Sequence, residues 1–128
     1  MRDIKFRAWI KPEKRMIHCV EVNPFYIGDC DRLHWKHDEI ELMQFTGMCD
    51  ETDDETEVFE GDIVEYRALN GDMFNTVVVY EVGMFILVSN RFNDGYSPLY
   101  DCSEADGRII WVRGKVIGNI YEDKSKLE

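Results

Sequence analysis

No stretch of this chain sustains a helical period. Its apolar residues come instead in short segments that alternate at period two, cut every few residues by Gly, Pro, Asn or Asp. Period two sends successive side chains to opposite faces of a strand, so the pattern demands strands with one buried face. Residues 3–10 show it first. Ile4, Phe6, Ala8 and Ile10 fall on one side, and Lys5, Arg7, Trp9 and Lys11 on the other. Pro12 interrupts the alternation inside a turn-like Lys11–Arg15, and 16–22 reads as a second strand. Residues 1–22 are therefore expected to form an N-terminal β-hairpin.

The same reading continues along the chain. Asn23-Pro24 opens an irregular stretch, 33–37 is a short strand or a turn, and 39–46 is a strand that Gly47 ends. Gly61-Asp62 turns into a strand at 63–67. Asn70-Gly71-Asp72 makes a hairpin turn, because Asn and Gly accept positive φ. Strands follow at 74–81 and 84–89, then a polar loop at 90–98 and a helical turn at 99–105. The last strands are 109–112 and 116–121, and the charged tail 122–128 frays or makes a helical turn. Many short strands at regular spacing predict an all-β (or β-rich α+β) protein. We expect a single domain over 1–128, with a small SH3-like β-barrel at 58–121 attached to the hairpin. A chain of this length buries about two-thirds of its unfolded surface, so it folds without a metal or a disulfide.

Charge is the second constraint. The net charge of −11 is uneven: residues 1–18 hold six basic and two acidic groups, whereas 38–62 hold eleven acids and no Lys or Arg. The segment 49–57 alone carries six carboxylates, so it reads as an exposed, mobile acidic loop. The acidic balance argues against general binding to nucleic acid, which needs Lys and Arg against phosphate. It also argues against binding to anionic membrane surfaces. No apolar run approaches the ~20 residues that span a bilayer, and the charged N-terminus has no secretory segment. The expected compartment is the cytoplasm, where Cys19, Cys30, Cys49 and Cys102 stay reduced.

Few residue patterns suggest chemistry. Cys30, His34 and His37 are of zinc-ligating type, with His18 or Cys19 as further candidates. Their spacing fits no common zinc motif, and exposed histidines beside an ordinary cysteine are the plainer reading. The acidic loop offers oxygen ligands, but the sixth and twelfth positions counted from Asp50 are Glu55 and Gly61, the reverse of a calcium loop. Neither a dinucleotide nor a phosphate-loop fingerprint occurs, so no cofactor is expected. No Cys–His signature marks a nucleophile, and the chain does not read as an enzyme. The basic row Lys5, Arg7, Trp9 and Lys11 is the candidate interaction site. Cations beside an aromatic suit a single-stranded nucleic acid. The plainer reading pairs that row with the protein's own acidic segment.

Three blocks, in order, resemble one family across nearly the whole chain. They are Met1-Arg2-Asp3-Ile4-Lys5-Phe6-Arg7-Ala8-Trp9; Leu42-Met43-Gln44-Phe45-Thr46-Gly47 resuming at Phe59-Glu60-Gly61-Asp62-Ile63-Val64; and Val116-Ile117-Gly118-Asn119-Ile120-Tyr121-Glu122. The set is similar to the YopX family of phage and prophage proteins. The chain departs from the family pattern between Gly47 and Glu60, where its loop is longer and acidic. The resemblance implies a β-rich accessory protein in a bacterial host's cytoplasm, and it implies no reaction. The blocks also read as fold determinants: Gly47 and Gly61 permit turns, and Gly118 marks a bulge or a close backbone approach.

Two functional classes follow. The first is a protein-interaction module that binds a host or phage protein, or forms a homo-oligomer through the hairpin, with exposed Trp9, Trp35 and Phe92 as contacts. Mimicry of nucleic acid by the acids is a variant of it, disfavoured because they crowd into one loop. The alternatives are a single-stranded nucleic-acid binder through the basic hairpin, and a metal-dependent enzyme at Cys30, His34 and His37.

Overall fold

A computed structural model describes residues 5–18, 20–22, 26–29, 33–52, 56–81, 83–99, 102–105 and 108–127. Among them are fourteen strands, two 3₁₀ helices and no α-helix. In chain order the strands are β1 Phe6–Ile10, β2 Arg15–Ile17, β3 Val20–Val22, β4 Ile27–Asp29, β5 His34–Trp35, β6 Ile40–Asp50, β7 Glu57–Phe59, β8 Asp62–Arg67, β9 Met73–Glu81, β10 Met84–Val88, β11 Tyr96–Pro98, β12 Cys102–Ala105, β13 Arg108–Trp111 and β14 Gly114–Asn119. The 3₁₀ helices are His37–Glu39 and Lys124–Leu127. The chain divides into two compact units, Met1–Phe45 and Thr46–Glu128.

In the first unit the expected hairpin is present, but the strand expected at 16–22 splits: Arg15–Ile17 pairs with β1, and Val20–Val22 belongs to another sheet. β1 and β2 pair antiparallel with Ala8 opposite Ile17 and Ile10 opposite Arg15, and Lys14 takes a positive φ of 51° in the turn. The other edge of β1 pairs with the start of β6, Ala8 opposite Leu42 and Ile10 opposite Ile40. β3, β4 and β5 form a separate antiparallel sheet. Ala8, Ile10, Ile17, Ile27, Trp35 and Ile40 make the core of this unit. Burying each Ile contributes about 1.5–3 kcal/mol. Ala8 and Ile10 of the hairpin's apolar row are thus buried within their own unit, and Phe6 is half-buried. Ile4, assigned to the same row, lies outside the described residues.

β1 is a central strand, flanked by β2 and β6, and its second row is not simply solvated. Arg7 stands opposite Met43, and both are buried, with Arg7 only 6% exposed. This corrects the expectation of an outward basic face.

The second unit holds two ladders. The end of β6 pairs in parallel with β13, Met48 opposite Ile109 and Asp50 opposite Trp111, and β13 pairs antiparallel with β12. The larger sheet runs β11-β10-β9-β8-β14. Its core is Val58, Val64, Tyr66, Val78, Leu87 and Trp111, with Met48, Phe74, Phe92 and Val116 packed around. Tyr66, Phe74 and Phe92 meet pairwise at centroid distances of 5.3–5.4 Å, a spacing that favours edge-on aromatic contacts.

Four expectations change here. The five-stranded ladder does not close: β11 and β14 are its edges among the described residues, so 58–121 contains an open sheet and not a closed barrel. Gly47 does not end its strand; with φ of 90° it lets β6 continue to Asp50, a conformation that a Cβ opposes. The helical turn expected at 99–105 contains strand β12 instead. Within the stretch read as irregular, β4 is a strand, and positions 23–25 and 31 lie outside the described residues. The Gly118 irregularity is present as a register shift between β14 and β8.

Candidate functional site

The basic row of β1 is largely engaged. The Lys5 ammonium lies 4.7 Å from the Phe45 ring centroid. Lys11 sits 3.1 Å from Glu41 and donates to the Asp38 carbonyl oxygen. Glu41 and Asp38 belong to the acidic segment, so part of that segment meets the basic strand. Arg7 is buried, and Trp9 is half-buried opposite Glu41 and Met16.

The three aromatic residues expected to be exposed are not. Trp35 is 8% exposed within the first core. Its Nε1 donates to Glu13 Oε2 at 2.5 Å, and the Arg15 guanidinium lies 5.4 Å from its ring centroid. Arg15 Nε also donates to Glu13, at 2.8 Å. These two hydrogen bonds, Arg15 first and Trp35 second, hold the Glu13 carboxyl below its ordinary value. Phe92 is half-buried against Tyr66 and Phe74.

Of the metal candidates, Cys19 and Cys30 lie outside the described residues. His34 is exposed with its ring 4.8 Å from that of Tyr26, and His37 begins a 3₁₀ helix. Among the described residues no three His, Cys, Asp or Glu side chains come together as a metal site.

The acidic segment is not one loop. Asp50, expected to be exposed, closes β6 and is fully buried. Its Oδ1 accepts from Thr52 N (3.2 Å), Thr52 Oγ1 (2.6 Å) and Thr56 N (3.0 Å), and its Oδ2 accepts from Val116 N (3.0 Å). A carboxylate can be buried when charge-assisted donors replace its water, and here four do so. Asp62, also buried, accepts from Phe59 N at 2.7 Å. Both acids therefore serve the fold. Positions 53–55 lie outside the described residues.

The surface with functional character is elsewhere. Directly paired residues share a sheet face. Val78 stands opposite Leu87, and Tyr80 opposite Phe85, on the core side. The opposite side of β9, β10 and β11 then carries Val77 beside Val88 and Tyr96, Val79 beside Ile86 and Pro98, and Met84 beside Glu81. Seven apolar side chains form one block. Met84, Val88 and Tyr96 are 45%, 39% and 52% exposed. Pro98 is exposed, Val77 and Val79 are half-buried, and Ile86 is buried. A contiguous apolar patch of this kind marks interaction surfaces on soluble domains. Toward β8 and β14 the same face turns polar. Glu65 pairs with Lys115, and Asn75 donates to the Lys126 carbonyl of the 3₁₀ helix Lys124–Leu127.

This block escaped the pattern reading, although a signal for it exists. In 77–79 and 84–88 every position is apolar. Such a run describes a strand apolar on both faces.

A model of the family described as YopX protein matches residues 5–128. Two solved structures share the architecture over 100% of both chains. Protein EF1440 from Enterococcus faecalis matches with TM-score 0.62 at 24% identity. Protein yopX from Bacillus subtilis matches with TM-score 0.63 at 12% identity. No curated protein matches the chain by sequence.

Proposed function

The chain belongs to the YopX family, and we propose that it acts by binding another protein through the outer face of β9, β10 and β11, not by transforming a small molecule. The observation that carries this reading is the apolar block on which Met84, at one end of β10, and Val88 and Tyr96, at the other, are exposed. Exposing that much apolar surface costs free energy that a partner's burial of it would recover. The setting we infer is the cytoplasm of a bacterium carrying phage or prophage genes. The bacterial origin of both similar structures supports a bacterial setting. Among the described residues no helix is long and apolar enough to cross a membrane.

The nucleic-acid alternative rests on Lys5, Arg7, Trp9 and Lys11. With Arg7 buried and Lys11 against Glu41, only part of that row faces solvent. The geometry favours the protein-binding reading.

The test is a quantitative capture. Tagged wild type and a Met84→Ser/Val88→Ser/Tyr96→Ser variant are incubated with host lysate, after their melting curves are shown to agree. A partner retained by the wild type and lost by the variant is the expected result. Equal retention would place the contact elsewhere.

A further inference from the structure

We propose that the occupant of this face is a protein segment with a short apolar run and a Lys or Arg at each end, laid along β10. The inference rests on the interaction reading above and adds the partner's chemistry.

The argument is charge complementarity. β10 exposes Met84 and Val88 on the outer face, with Ile86 between them only 6% exposed. At the Met84 end, Glu81 stands directly opposite and is exposed. At the Val88 end, Asp94 is exposed in the turn that leads to Tyr96. Neither acid forms an ion pair with a described residue. The nearby cations are already engaged: Arg91 lies over the Phe74 ring and within 4.0 Å of Asp72, and Lys115 lies 3.6 Å from Glu65. The exposed apolar side chains Met84 and Val88 are therefore each followed outward by an acid. A partner that is apolar in the middle and positive at both ends matches this arrangement and is steered to it.

Two alternatives fit less well. A second copy would bring another net charge of −11 and set acid against acid. Strand addition at the edge of this sheet is opposed by β11, which is three residues long and ends in Pro98, a residue without an N–H to donate. The face, and not the edge, is the docking element.

The experiment uses the full chain and three synthetic peptides that share one five-residue apolar core. Their flanks are two lysines, two serines or two glutamates at each end, and affinity is read by fluorescence anisotropy. The Lys-flanked peptide is expected to bind about tenfold or more tighter than the Ser-flanked one, with the Glu-flanked one weakest. Glu81→Gln/Asp94→Asn should remove the lysine advantage, and Met84→Ser/Val88→Ser/Tyr96→Ser should abolish binding of all three. Equal affinities, or a lysine advantage that survives Glu81→Gln/Asp94→Asn, would overturn the charge argument while leaving a contact at the apolar row intact. Binding that ignores the triple serine variant, or no binding at all, would overturn the docking face itself. A dimer seen by light scattering and lost in that variant would make the occupant a second copy and refute the proposal.

Discussion

Asp50→Asn is the sharpest test of how the second unit is held together. The native carboxylate is fully buried and accepts from four donors, three of them backbone N–H groups. Asparagine keeps one oxygen and replaces the other with an NH₂. If the oxygen faces Thr52 and Thr56, the NH₂ points at the Val116 N–H, and two donors oppose each other. If the amide flips, the conflict moves to the Thr52 and Thr56 N–H groups, so two backbone bonds are lost and not one, while the Thr52 hydroxyl can turn to accept. The first arrangement costs less. It forfeits one charge-assisted bond of about 1.5–3 kcal/mol, and the stranded Val116 N–H adds about 1 kcal/mol. The three remaining bonds weaken as well, because their acceptor is no longer charged.

The expected destabilisation is about 2–4 kcal/mol, which a domain with 5–15 kcal/mol of stability survives. Urea unfolding reads it. With a slope of about 1–3 kcal/mol per molar, the midpoint should fall by roughly 1–2 M at unchanged slope. Hydrogen exchange gives a second reading. The amides of Thr52, Thr56 and Val116 should lose protection by more than the global change. A midpoint within about 0.3 M of wild type, with those three amides still protected, would refute the claim that this carboxylate ties Thr52 and Thr56 to β14.

Two further substitutions probe other parts of the fold. Gly114→Ala places a Cβ 2.7 Å from both the Glu65 carbonyl oxygen and the Trp111 ring. Neither backbone nor a buried indole yields readily, so overpacking should cost about 1–3 kcal/mol in a thermal melt, and an unchanged melting temperature would contradict the contact. In the first unit, Glu13 should titrate below its ordinary 4.5 by NMR, moving back toward that value in Arg15→Ala and less so in Trp35→Phe. Because the folded value is the lower one, the contribution to stability is present above the unfolded value and lost as pH falls through the folded value. A Glu13 titration that is unchanged in Arg15→Ala would remove Arg15 as the main cause.

What could be read in advance was what local rules control. The alternation of Phe6, Ala8 and Ile10 places the β1–β2 hairpin because a strand's two faces follow directly from chain order. The turn at Asn70-Gly71-Asp72 was legible for a similar reason: Gly71 adopts φ of 94°, and Asn70 Oδ1 accepts from Asp72 N within the same turn. Arg7 misled because alternation says which side a residue faces but not whether that side is covered. Its fate follows from β1 lying between β2 and β6, and β6 begins thirty residues later in the chain.

Asp50 shows the same limit in its strongest form. Local reasoning places it in solvent, because five of its next seven neighbours are acids that repel one another. Its burial is decided at long range, by the parallel pairing of β6 with β13. Trp111 stands opposite Asp50 in that ladder, and β14 starts three residues further on. The chain thereby delivers the Val116 N–H to the carboxylate from 66 residues away. Replacing Asp50 by an apolar residue would leave Val116 N without that acceptor, so the residue that looks least suited to a core is fitted to this position by its oxygens. The β9–β11 block is the converse case. Ile86 of that face is buried, whereas Met84, Val88 and Tyr96 remain at the surface. An acid moved inward by backbone donors and an apolar row left outward both depart from the ordinary partition of residues. Only the second departure lacks a role inside the described fold, which is why function is sought there and not at the carboxylates.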